Sequence, residues 1–382
     1  MWVIDTVENL CEIEYGTRVV RKREQGTIYP VYGGGGETFR IDRKNRTSRV
    51  VIARFGMSER CTRYVDGDFF LNDSGLTLSP KSDELSQDFL NKIIFSLNDS
   101  IYSIGRGTAQ KNLNMDAFKK LIISYPPAAE QERIVAKIDA AFAEIDEAIV
   151  AASNKEKNAE KLFENYLSNI FQTNNQDWKS DNLQNITSKI GSGATPRGGQ
   201  ASYKKDGISL IRSMNVHDMY FKYKNLAKID NEQASKLSNV TVQENDILLN
   251  ITGASVARCC LVERDVLPAR VNQHVSIIRV KIEIVIPKFI LYGLISKPYK
   301  DKLLTVGNSG GATRQAITKT QIEDFIFYYP KSKEEQNDLI TKLDSVYLHT
   351  QNLAEIYKKQ IKQHVQLKLA ILSQELQSSE AA

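Results

Sequence analysis

Cysteine, histidine and long apolar runs are scarce in this chain of 382 residues. The four cysteines, Cys11, Cys61, Cys259 and Cys260, form no Cys-x-x-Cys pair and have no His pair nearby, which excludes a zinc finger or ribbon. They are expected to be small core residues of a protein in a reducing compartment. No apolar run approaches the roughly 18 residues that a membrane-crossing helix needs. The opening Met1-Trp-Val-Ile-Asp5 lacks a basic stretch followed by an apolar one, so no signal peptide is expected and the assignment is cytoplasmic, without a membrane partner. His217, His349 and His364 show no ligand spacing, and no metal site is expected. Gly33-Gly-Gly-Gly36 and Gly191-Ser-Gly193 are not followed by Gly-Lys-Ser/Thr, which excludes a P-loop.

Proline and glycine are missing altogether from 128–172 and from 331–382. Both stretches therefore read as long helices. In the first, Ile134, Ile138, Ala141, Ile145, Ala148, Ala152, Ala159, Leu162, Tyr166 and Ile170 recur at spacings of three, four and seven. Leu339, Leu343, Val346, Leu353, Ile356, Ile361, Val365, Leu369 and Leu372 do so in the second. A narrow apolar stripe of this kind marks a coiled-coil seam. At 1.5 Å per residue, about 40 residues extend roughly 60 Å, too far for one small domain to cover. The two helices are expected to bury their stripes on each other.

The remainder is a different texture. With 41% apolar and 25% charged residues the chain is globular in composition. Runs such as Arg49-Val-Val-Ile-Ala-Arg54, Asp246-Ile-Leu-Leu-Asn-Ile251 and Val275-Ser-Ile-Ile-Arg-Val280 alternate with Gly, Asn and Asp turn signals, the pattern of strands. The segments 1–128, 129–172, 173–333 and 334–382 carry net charges of +2, −4, +9 and −2. The globular segments hold the positive excess, which suits a polyanionic partner, and the helical ones are acidic.

The sequence also repeats itself. Phe118, Leu121, Ile123 and Tyr125-Pro126 are echoed at one offset by Ile322, Phe325, Phe327 and Tyr329-Pro330. One inserted residue later, Glu130-Gln131, Lys137 and Asp139 pair with Glu335-Gln336, Lys342 and Asp344. Upstream, Trp2 answers to Trp178, Ile52-Ala-Arg-Phe-Gly56 to Leu249-Asn-Ile-Thr-Gly253, and Asn72 to Asn272. Two copies of a globular-then-helix unit, related by a pseudo-two-fold, are expected to pair like a symmetric dimer. Parallel helices would require the few residues near Thr173 to Asp177 to run back along the whole rod, which ~3.6 Å per residue does not allow. The expected architecture is α+β: two similar, strand-rich globular domains separated by two long helices in an antiparallel coiled coil. Two basic domains on such a rod suit the reading of two DNA half-sites.

Gly191-Ser-Gly-Ala-Thr-Pro196, Asp246 to Gly253, Val271-Asn-Gln-His-Val275, Thr313-Arg-Gln-Ala-Ile317 and the Glu-Glu-Gln that opens the second helix resemble the specificity subunit of type I restriction-modification systems. In the first copy, Tyr29-Pro-Val-Tyr-Gly33, Leu71-Asn-Asp-Ser74, Thr108 to Leu113 and Pro126 to Arg133 follow in the corresponding order. The resemblance covers essentially the whole chain. It implies target recognition domains at 1–128 and 173–333, with spacer helices at 129–172 and 334–382. It further implies that each domain reads half of an interrupted target in double-stranded DNA, and that the helices dock two methyltransferase (modification) subunits and, in the full complex, restriction subunits. S-adenosylmethionine, ATP and Mg then belong to those partners, and this chain has no cofactor and no catalytic residue.

The residues agree with that reading, since Ser124-Tyr-Pro-Pro127 places aromatic and prolines in the wrong order for an amino-methyltransferase motif. Arg and Lys suit guanine or phosphate, Asn and Gln suit adenine. On that basis the candidate DNA contacts are Arg18, Lys22, Arg23, Tyr32, Gly34, Arg106, Gln110 and Lys111 in the first domain. In the second they are Thr195, Arg197, Tyr203, Lys204, Lys205, Arg212, Asn215, Thr313, Arg314 and Gln315. Asn272 and His274 are expected to be satisfied structural residues. Glu144, Asp146, Glu147, Tyr347, Tyr357 and Lys358 are candidate helix surfaces for partners. Two other functions remain open at this point: a coiled-coil scaffold that does not touch DNA, and a methyltransferase fused to its own recognition domains.

Overall fold

The computed structural model describes residues 2–24, 26–108, 110–172, 177–308 and 316–376. The chain divides into two compact units, one made of Met1–Ser153 with Lys358–Ala382 and the other of Asn154–Tyr357. The long helices, Ala128–Gln172 and Lys333–Glu375, each contribute to both units. Among the described residues no helix is long and apolar enough to cross a membrane.

Unit 1 contains β1 (Val3–Thr6), β2 (Cys11–Tyr15), β3 (Tyr29–Tyr32), β4 (Glu37–Ile41), β5 (Arg46–Ala53), β6 (Thr62–Leu71), β7 (Gly75–Pro80) and β8 (Ile122–Tyr125). Six of them form one sheet in the order β2-β7-β5-β6-β3-β4, antiparallel except where β3 lies beside β6. β1 and β8 pair separately, with Val3 opposite Tyr125. The helix Gln87–Ser96 starts where the Ser86 hydroxyl accepts the Phe89 amide, 3.3 Å away, and lays Phe89, Leu90 and Ile93 on Ile52, Leu76 and Leu78. The first long helix is anchored by Gln131, which is fully buried. Its Oε1 accepts the Ser86 amide at 2.8 Å, and its Nε2 donates to the carbonyls of Glu84 and Pro126, each at 2.7 Å.

Unit 2 contains β9 (Lys179–Asn182), β10 (Thr187–Ser192), β11 (Ile208–Ile211), β12 (Ala227–Ile229), β13 (Ile247–Asn250), β14 (Cys259–Leu261), β15 (Ala269–Val271), β16 (Val275–Val280) and β17 (Ile326–Tyr329). They form a sheet β10-β16-β13-β14, a sheet β12-β11-β15 and a β9-β17 pair in which Lys179 faces Tyr329. Buried Asp246, at the start of β13, takes two hydrogen bonds from the Arg279 guanidinium of β16, at 2.7 and 2.8 Å. The second long helix is anchored by Gln336, also fully buried. It accepts the Ile286 amide at 2.9 Å and donates to the carbonyls of Pro330 and Ile284.

The two long helices meet inside each unit. In unit 1 the Lys137 ammonium lies 2.7 Å from Glu375, and that of Lys368 lies 2.6 Å from Asp146 and over the Phe142 ring. In unit 2 the Phe163 and Tyr347 rings are 5.0 Å apart, and Lys155 faces Tyr357. Within each unit, residue numbers rise along one helix as they fall along its neighbour. The contacts correct the expected seam. Leu162, Leu353, Ile356 and Leu369 are exposed, whereas Phe163, Leu167, Ile340, Thr350 and Ala354 are buried. On the second helix, positions 336, 343 and 350, and 340 and 354, are buried at whole-heptad spacing, whatever the polarity of the residue. Asp146, Tyr347 and Tyr357, expected on free outer faces, are engaged by Lys368, Phe163 and Lys155. All four cysteines are buried free thiols, and burial pushes Cys11 up to about 12 and Cys61 up to about 11.

Candidate nucleic-acid interface

In unit 2, motifs that are far apart in sequence share one place. Gly193 donates to the Asn272 carbonyl at 3.1 Å, and a Cβ on it would fall 1.8 Å from the Val271 oxygen, so backbone approaches backbone as only glycine permits. This fixes the loop that follows β10. There the Thr195 hydroxyl donates to Gln273 Oε1, the Gln273 amide reaches His274 Nε2 at 3.1 Å, and His274 Nδ1 meets the Thr252 hydroxyl. Thr252 in turn pairs by backbone with Ala316. Asn272 is buried, its Oδ1 accepting the His274 amide at 3.0 Å, so both residues are satisfied within this loop set.

The other candidates of unit 2 fall into two kinds. Arg197 and Lys205 are exposed and have no side-chain partner among the described residues. Lys204 pairs with Asp230 at 3.3 Å, beside the cleft that Arg197 borders. Tyr203, Arg212 and Asn215 serve the fold instead. The Arg212 guanidinium lies 5.3 Å from the Tyr203 ring centre and donates to the Asn225 carbonyl. Asn215 is completely buried, accepting the Arg212 amide at 3.1 Å and donating to the Lys222 carbonyl at 2.8 Å, so both ends of its amide are spent on a turn. Thr313, Arg314 and Gln315 lie outside the described residues.

Unit 1 builds its site around the loop 72–74. The Asn72 amide donates to the Tyr32 carbonyl at 2.7 Å, while Asn72 Oδ1 accepts the Val19 amide at 3.2 Å. A Cβ on Gly16 would lie 2.0 Å from the Asn72 oxygen, so the turn that carries Arg18 is pressed onto this loop. Gly34 donates to the Ser74 hydroxyl at 3.3 Å. The Arg54 amide donates to the Ser74 carbonyl at 2.9 Å, and its guanidinium reaches the Asp73 carbonyl at 2.8 Å. That guanidinium also sits 4.5 Å and 4.9 Å from the ring centres of Tyr15 and Phe55, both of them exposed. Gly56, in the left-handed region at φ +58°, donates to Asn112 Oδ1 at 3.1 Å and so joins the loop 106–113 to the same face.

Arg18, Gly34 and the 106–113 loop with Gln110 are thus brought together. Lys22 and Arg23 are exposed farther along the turn, and among the described residues no contact ties them to this face. Arg106 faces the Asn114 amide at 2.9 Å. Lys111 is turned inwards, donating to the Tyr102 carbonyl at 3.2 Å with its ammonium 3.8 Å from that ring. Tyr32 packs edge-on against Phe69. Arg54 and Gln273 were missed by residue-type ranking. Their signal was the motif itself, since Arg54 sits in the echoed Ile52-to-Gly56 stretch and Gln273 in Val271-to-Val275. Among the described residues no group of three or more His, Cys, Asp or Glu is placed to hold a metal ion.

Comparison with known proteins bears on both units. The sequence profile described as "Type I restriction modification DNA specificity domain" matches residues 1–155 and again 175–363. The Type I restriction enzyme EcoBI specificity subunit of Escherichia coli is 24% identical over 301 residues, 71% of this chain. The chain spans 62% of that protein's length. Among solved structures, a chain from a study of complex assembly and conformational transition of the type I R-M system is similar with a TM-score of 0.70 at 17% identity, covering 99% of this chain and 98% of that one. The HsdS subunit from Thermoanaerobacter tengcongensis follows at 0.51 and 16%, covering 98% and 96%. Because the profile fits nearly the whole sequence in two successive stretches, one through each globular region, the chain belongs to the type I restriction modification DNA specificity domain family.

Proposed function

We propose that the chain is the DNA sequence-specificity subunit of a type I restriction-modification complex, in which each globular domain reads one half of an interrupted duplex target. One observation carries this reading: the family profile fits twice, and each fit contains a glycine-locked loop set with exposed cations. The same features support an internal repeat with domains at 1–128 and 173–333. Gly16 against Asn72 matches Gly193 against Val271 and Asn272, and Gly56 and Gly253 are both left-handed at φ +58° and +76°. Trp2 packs near Phe89 as Trp178 does near Phe289, and Gln131 and Gln336 anchor the two long helices in the same way.

In this reading Arg18, Lys22, Arg23, Gly34, Arg106, Gln110, Thr195, Arg197, Lys204, Lys205 and the Thr313-Arg314-Gln315 turn face DNA, joined by Arg54. The long helices form an antiparallel coiled coil that sets the gap between half-sites, an arrangement supported by the helix contacts within each unit. Apolar side chains left outside the seam, Leu348, Leu353 and Ile356 in unit 2 and Leu367 and Leu369 in unit 1, suit the docking of two modification subunits. Those partners supply S-adenosylmethionine chemistry and, where restriction subunits join, ATP- and Mg-dependent steps. The chain acts in the cytoplasm by positioning.

The test is methylation mapping in cells carrying the complete system, with and without this chain. A split motif that disappears with the chain is expected, and its gap should change when a heptad is removed from each helix. A motif that persists without the chain, or a gap indifferent to helix length, refutes the reading. With six to ten phosphate contacts, duplex affinity should fall by about 10³ to 10⁵ between 50 and 200 mM salt.

A further inference from the structure

A cleft of about 390 Å³ opens in unit 2 beside the Thr195–Gln273–His274–Thr252 chain, lined by Met214, Thr252, Ser255, Arg258 and His274. Its floor is rigid. Thr252 is held both by His274 and by Ala316, and Gly253 turns at φ +76° into the short helical turn 253–255. Arg258 is fixed through its backbone, which donates to the Ser255 carbonyl at 3.2 Å and accepts the Asn250 amide at 2.8 Å. Its guanidinium has no partner among the described residues, while Arg270 and Arg279 nearby in sequence are hydrogen-bonded. Among the described residues Arg258 is the one cation in the lining, and Met214 offers an exposed apolar wall.

We infer that this cleft is a specificity subsite of the unit 2 half-site, where Arg258 reads the edge of a base. The inference rests on the proposed DNA-reading function and names a residue for it. A phosphate site gathers several donors or cations around one anion. Among the described residues a single forked donor stands here beside hydroxyls, a methionine and an imidazole. Five fixed N–H donors on a planar group match the paired acceptors of guanine in the major groove.

The experiment is selection of the full chain on a randomised duplex library, followed by affinity measurement on the selected sequence and its single-base variants. Wild type should enrich a split motif containing a guanine in one half. Arg258→Ala should lose about 5- to 150-fold discrimination at that single position and leave the other half unchanged. Arg258→Lys keeps the charge and should lose the same discrimination while keeping the salt dependence. An unaltered motif, equal weakening at every position, or wild-type behaviour of Arg258→Lys overturns the inference. A wild-type chain that enriches no sequence overturns the proposed function itself, and this subsite with it.

Discussion

Replacing Gln131 with leucine tests how the first long helix is joined to its globular part. The side chain makes three hydrogen bonds at 2.7–2.8 Å and is fully buried. Leucine fills a similar volume but leaves the Ser86 amide and the Glu84 and Pro126 carbonyls without partners. Glu84 is exposed, so water recovers its carbonyl, whereas Pro126 is buried and Ser86 half-buried at the cap of the next helix. At about 1–3 kcal/mol for each group stranded away from water, the loss should be about 2–5 kcal/mol.

The two tryptophans allow this to be read one unit at a time, since Trp2 packs near Phe89 in unit 1 and Trp178 near Phe289 in unit 2. In a Trp178→Phe background, urea unfolding followed by Trp2 fluorescence should shift to a lower midpoint with unchanged slope. Glu130→Ala, which removes only a surface pair with Arg133, is the control and should leave the curve in place. A Gln131→Leu shift no larger than that of Glu130→Ala would refute the reasoning.

Two further outcomes follow from unit 2. Gly193→Ala must move backbone, because its Cβ would lie 1.8 Å from the Val271 oxygen, so the thermal midpoint read by Trp178 should fall by several degrees; an unchanged midpoint would mean the loop yields freely. The Asp181 carboxyl is held below the usual carboxylate range by Lys179 at 2.8 Å and by the Tyr329 hydroxyl at 2.6 Å. A depressed carboxylate contributes stability that is fully present above its unfolded value, near 3.9, and is lost as pH falls through the folded one. Asp181→Asn should therefore flatten the acid limb of stability below about pH 4, and a limb as steep as wild type would exclude Asp181 as its source.

How much of this was readable in the sequence depends on what kind of constraint each residue carries. The long helices were readable because proline and glycine are absent over more than forty residues, and the strands at 247–250 and 275–280 because β-rich runs are bounded by turn residues. The seam was misread where polarity and phase disagree. Thr350 is buried in heptad phase, and its hydroxyl donates to the Tyr347 carbonyl at 2.9 Å, so it costs little to bury. Leu353 and Ile356 are apolar but out of phase, and they stay exposed. A count of apolar residues exchanges the two sets.

The site shows the same division more sharply. Glycines at 16, 56 and 193 mark where one loop must touch or reverse on another, because a Cβ at 16 or 193 would lie about 2 Å from a backbone oxygen and the left-handed turn at 56 favours glycine. Candidate contacts chosen by side-chain type have no such local signature. Asn215 and Arg18 look equally suitable on paper, yet one is consumed by a turn and the other stands in solvent. Under the proposed function, the frame of a reading surface is written into the backbone-determining residues, while the side chains proposed to read stand on it with few internal duties. Arg258 meets that description and Asn215 does not. Exchange at positions like Arg258 should alter the bases read and leave the fold intact, whereas exchange at the glycines should remove the surface altogether.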